Sequence, residues 1–257
     1  KFEATPLYKA LKQMPKGVLQ HCHLPATLNI KNYLDVMTRH PDVYINPNSK
    51  ELNVNRVEAP IDKSVCIPIN EYRRKQGDAK VDEEITKLVM MQDNEIRDTN
   101  TKIIFDHFDM RFMKMGSAFF YQPILTEFMR RCVAEMKEDN ILGAEIRNVC
   151  FMLVRQDGVT ASRPEELKFY KDMKEEFGKG GFPVNWIHTG VKETSKDPAS
   201  IKRWMEIAEI AYKTPEFKDV FAGVDMVDYE GNFLLWEMRK ELLALKERNP
   251  GMQLILH

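Results

Sequence analysis

The sequence predicts an α/β chain of the (β/α)8 TIM-type barrel class, with only the first five βα units present and a mostly helical insertion after the first strand. Three observations predict it. Five short apolar runs rich in β-branched residues are separated by longer stretches of helical spacing, the pattern of alternating strands and helices in a parallel sheet. The chain's 257 residues are enough for a domain of this kind. No glycine-rich turn follows the first run, which ends in His21-Cys22-His23, so the open doubly wound sheet with its nucleotide loop is disfavoured.

The first run is Gly17 to His23. More than a hundred residues separate it from the second, far more than one crossover helix needs, so an insertion is expected at about 30–118. Within it, Asn46 to Pro60 is too rich in Asn and Pro for a long helix, and Gln76 to Lys80 is a polar break. Val81 to Asp98 and Lys102 to Met115 read as helices, with Met110, Met113 and Met115 as core filling. Ile124, Phe128, Cys132 and Met136 stand four apart and form a helical stripe that leads to the second run, Ile141 to Asn148. The third run is Val184 to Gly190. Ile201, Met205, Ala208 and Tyr212 then mark a helix before the fourth run, Val220 to Val227, and the fifth is Met252 to His257. Residues 1–257 are read as one partial barrel domain that includes the insertion.

Composition narrows the function. Lys plus Arg number 38 against 39 Asp plus Glu, and a net charge of -1 supplies no field to attract nucleic acid or anionic lipid. No apolar stretch is long enough for a membrane span, and Lys1 to Leu11 lacks the apolar core of a signal peptide. Cys22, Cys66, Cys132 and Cys150 contain no C-x-x-C pair and read as reduced thiols. The chain also has no Asn-x-Ser/Thr sequon, so the expectation leans to a cytoplasmic protein.

Residues two apart in a strand share a face, so His21 and His23 project together and can bind one ion through two imidazoles. His257 ends the strand Gln253-Leu254-Ile255-Leu256 at the same end of the expected barrel, which makes three histidines a ligand set suited to zinc. His188 ends the third run and is expected to face the barrel mouth. His107 is read as a helix-surface residue and His40 as a loop residue, while Glu145 and Arg147 share a strand face and are expected to order the barrel core.

Several segments together resemble the adenosine deaminases. Met14-Pro15-Lys16-Gly17-Val18-Leu19-Gln20-His21-Cys22-His23-Leu24 resembles the family's first strand. Glu138 to Arg147 is similar to the second strand of its adenosine deaminase growth factor branch, Phe221 to Val227 to the fourth, and Leu254 to His257 to the fifth. The resemblance implies zinc held by His21, His23 and His257, and a bound water that attacks the purine carbon bearing the amino group. It also implies that the catalytic acid and base lie beyond His257, so none is expected within these residues. That branch is secreted, which stands as the alternative compartment.

Two departures bear on the substrate pocket. Leu24 and Pro25 occupy places where the family holds the sugar, and Asp228 stands where its glycine approaches the purine. The expected function is therefore hydrolytic deamination of adenosine or a related purine nucleoside. The alternative is a catalytically impaired barrel with a structural or binding role in a larger assembly. Five strands leave an open edge and interior, so the remainder of the barrel, a partner chain, or a homodimer or larger assembly is expected to cover them.

Overall fold

In the computed structural model, residues 2–97, 99–191, 198–227 and 235–255 are described. The chain divides into two units: residues 1–27, 129–150 and 163–257 form the first, and residues 28–128 and 151–162 the second.

Helix α1 (Pro6–Gln13) begins where the Thr5 hydroxyl accepts the Tyr8 N–H at 3.1 Å, with proline already set for the first turn. Strand β1 (Lys16–His23) follows. The second unit opens with α2 (Ile30–Thr38), capped by Asn29, and continues through the short strands β2 (Val43–Ile45), β3 (Leu52–Val54) and β4 (Ile67–Pro68). These pair antiparallel in the order β3-β2-β4, a small sheet that the sequence reading did not anticipate. Helix α3 (Ile69–Gln76) stops at Gly77, whose φ of 88° is open to glycine, and α4 (Asp78–Val89) starts beyond it. The expected helix to Asp98 ends early: Met90 is extended, and a capping box of Gln92 with Glu95 starts a separate turn, α5 (Asp93–Ile96). Helix α6 (Thr101–Met113) then precedes α7 (Gln122–Glu138), which passes from the second unit into the first.

The first unit continues with β5 (Ile141–Asn148), α8 (Arg163–Lys179), β6 (Val184–Val191), α9 (Pro198–Lys213), α10 (Pro215–Val220), β7 (Phe221–Val227) and α11 (Arg239–Arg248). Its sheet has four parallel strands in the order β1-β5-β6-β7, and helices intervene between successive strands as parallel pairing requires. Among the described residues the fifth run makes an isolated parallel bridge: Val224 donates to the Gln253 carbonyl at 3.0 Å, and Ile255 donates back to Val224 at 2.9 Å. Gly223 permits this approach, since a Cβ there would stand 2.6 Å from the Gln253 carbonyl oxygen.

One face of this sheet is packed against helices. Trp186 is wholly buried, and its indole N–H donates to the Tyr170 carbonyl of α8 at 3.2 Å. Four residues on, a Cβ at Gly190 would lie 2.1 Å from the Trp204 ring of α9, so only glycine lets helix and strand approach this closely. The opposite face begins with Val18, half exposed, and includes the exposed Asn185.

Candidate metal centre

The register of the sheet assigns residues to its two faces. Paired residues in a parallel sheet point the same way, so Cys22, Ile146 and Trp186 lie on the helix-facing side, as do Asn148, His188 and Val224. His23, Arg147 and Ile187 lie on the other side, which also carries Thr189 and Asp225. The pairing of β1 with β5 slips between Leu19 and Cys22, so that Gln20 and His21 together oppose Glu145. A bulge of this kind re-aims side chains at a strand end.

Two apart in the strand, His21 and His23 share a face and their rings meet. Their Nε2 atoms stand 3.2 Å apart, with ring centroids 5.3 Å apart and planes tilted by 43°. With both rings neutral, one can donate to the other; with a shared cation, both can offer lone pairs. Two nitrogen ligands about 2.0–2.1 Å from one tetrahedral ion stand about 3.3 Å apart, so the observed separation fits a zinc-type ion. His257, the third expected ligand, and Asp228, an expected pocket residue, lie outside the described residues. Among the described residues no group of three or more His, Cys, Asp and Glu is disposed to hold a metal.

Beside the pair, the guanidinium of Arg147 is buried and meets Asp225, itself fully buried, through Nε and Oδ2 at 2.7 Å. A second nitrogen of Arg147 donates to the Gln20 carbonyl at 3.1 Å, and Asp225 Oδ1 accepts the Met226 N–H at 2.7 Å. Sequence reading placed Arg147 on the inner face but paired it with Glu145; the partner is Asp225. A residue two strands away becomes the partner only once the sheet curves, and no local pattern signals that.

The expectation that His188 faces the mouth is corrected. It shares its face with Trp186 and Gly190, is 3% exposed, and sets its ring edge-on to Phe221 with centroids 6.1 Å apart. Burial lowers its pKa to about 4, so it is neutral at pH 7 and belongs to the packing between sheet and helices. Leu24 is also fully buried, in a 3-10 turn from Leu24 to Ala26, where Pro25 is half-buried. Cys22 lies between the two histidines in sequence but on the opposite face, where it is buried, and burial pushes its thiol up to about 12. His107 lies 3.4 Å from Glu95 and is half exposed, as a helix-surface residue. Recesses of about 520 Å³, lined by Arg130, Lys137 and Phe182 among others, and of about 500 Å³, lined by Leu167 and Lys171 among others, contain no histidine.

The chain is 24% identical to an adenosine deaminase of Phlebotomus duboscqi over 96% of its length, and 23% identical to adenosine deaminase 2 of Homo sapiens over 89%. The chain is thus similar to the adenosine deaminases along nearly all of its length. It spans about half the length of those relatives, 49% and 46%. Among solved structures, the chain matches Arabidopsis ADAL complexed with IMP with a TM-score of 0.56 at 14% identity, covering 97% of this chain and 59% of that one. It matches adenine deaminase from Arthrobacter aurescens with a TM-score of 0.52 at 13% identity, over 95% of this chain and 57% of the other. These likenesses identify the fold as an α/β arrangement of parallel sheet and helices resembling the amidohydrolase barrels. No family model matches the chain. Among the described residues no helix is long and apolar enough to cross a membrane.

Proposed function

We propose that the full-length protein is a zinc-dependent purine aminohydrolase acting on adenosine or a related purine nucleoside. The observation that carries this reading is the pair of imidazole nitrogens 3.2 Å apart at the end of β1. The names of its relatives, adenosine deaminase and adenosine deaminase 2, support the substrate class. His21 and His23 would hold the ion, with His257 as a third ligand. When bound, zinc lowers the pKa of water towards about 7 and so supplies a hydrolytic nucleophile. The protein's own groups do the rest: the buried Arg147–Asp225 pair lies beside the histidines, and Pro25 and Asp228 would shape the approach of the substrate. The general acid and base would come from further chain. The half-exposed Val18 on the inner face fits a cover for that face, by the remainder of the barrel or by a partner chain.

A second reading, a deaminase-like barrel with impaired catalysis and a binding role, is favoured by Pro25, which offers the sugar no side-chain hydrogen bond. The two readings separate in one assay. Full-length protein loaded with zinc should convert adenosine to inosine, and the His21→Ala plus His23→Ala variant should not. Absence of turnover in the zinc-loaded protein, gained by the Pro25→Asp plus Asp228→Gly variant, would favour the second reading.

A further inference from the structure

We propose that Arg147 is a positioning residue for the histidine pair: its guanidinium ties the Gln20 carbonyl at the β1 bulge to Asp225 on β7 and so fixes the direction in which His21 points. The proposal rests on the reading of His21 and His23 as metal ligands. Three observations support it. The regular pairing of β1 and β5 breaks between Leu19 and Cys22, so the backbone that aims His21 lacks the ladder that holds the rest of the strand. Arg147 supplies a donor at that break, 3.1 Å from the Gln20 oxygen, from the position in register with His23. The same guanidinium is anchored at 2.7 Å by the fully buried Asp225, whose other oxygen is held by the Met226 amide.

One side chain thus links β1 to β7 across the four-stranded sheet. Neighbouring strands lie about 4.8 Å apart, so a flat sheet would put these outer strands about 14 Å apart, and the link requires the curvature that gathers strand ends around a site. A buried ion pair is a poor device for stability alone, because apolar side chains of similar volume often serve as well or better. A planar fork with two fixed anchors does provide orientation, and groups that orient metal ligands from behind typically change metal affinity by about 10–100-fold when removed.

The test uses full-length protein and the dissociation constant for zinc, measured by competition with a chelator, together with the visible spectrum of the cobalt-substituted protein. Arg147→Met should weaken zinc by about 10–100-fold and alter the cobalt spectrum, with Arg147→Lys recovering part of the loss. Ile146→Val, on the same strand but facing the helices, controls for loss of stability and should leave affinity unchanged. If Arg147→Met does not fold, Asp225→Asn, which keeps the shape and loosens the anchor, should show the same direction of change. Unchanged affinity in the folded Arg147 variants, or in Asp225→Asn where they do not fold, overturns the positioning role while leaving the ligand assignment standing. A protein that binds no zinc, or whose His21→Ala plus His23→Ala variant binds it as well as the parent, overturns both.

Discussion

The two faces of the parallel sheet treat histidine in opposite ways. His188 on β6 and the pair His21–His23 on β1 occupy similar heights on the same sheet, yet His188 is enclosed by Phe221 and its neighbours on the helix side, with its pKa lowered to about 4. The pair sits on the inner face, more open to solvent, with Arg147 and Asp225 beside it. Burial strips a ring of its ability to carry charge, and the open face leaves ring nitrogens able to bind a cation. Strand end and residue type alone therefore do not identify a ligand; the face does.

The comparison can be broken most forcefully from the helix side. Trp186→Ala removes a wholly buried ring and its hydrogen bond to Tyr170, and should cost about 3–5 kcal/mol of stability in chemical denaturation. A loss below about 1 kcal/mol would mean that this face is not the packed one. The next effect concerns pH. The folded pKa of His188, about 4, lies below the ordinary 6.5, so the unfolded chain binds the proton first as pH falls. The stability that accompanies a neutral His188 is complete above about 6.5 and is lost as pH drops from there towards 4, by about 3 kcal/mol in all. Stability curves of the parent and of His188→Phe should diverge in slope across that window, the variant being flatter. Parallel curves would place His188 in water and erase the contrast between the faces.

Much of this arrangement is legible in the sequence, for a physical reason. Strands of a parallel sheet are covered over most of their length, so Ile141–Asn148 and Val184–Val191 stand out as apolar runs bounded by polar residues. The H-x-H spacing places both rings together whether or not the strand bulges. What the sequence hides depends on distance and depth. Val43–Ile45 and Leu52–Val54 are too short to show any period. Met90 carries no breaker chemistry, so the end of α4 is invisible until the capping box beyond it is considered. The orientation of His188 was legible in principle, since the apolar Trp186 two residues earlier marks its face, but its strand-end position suggested otherwise. The Arg147–Asp225 pair spans 78 residues and two strand spacings, and only the folded sheet brings it together.

The claim on which the account turns is that the inner-face pair binds metal and the helix-face histidine does not. Zinc content of full-length protein by elemental analysis tests it most directly, comparing the parent with His21→Ala plus His23→Ala and with His188→Phe. The account predicts about one zinc per chain in the parent, none in the double variant, and an unchanged value in His188→Phe. Zinc retained when both inner histidines are gone, or lost when only His188 is replaced, would contradict it.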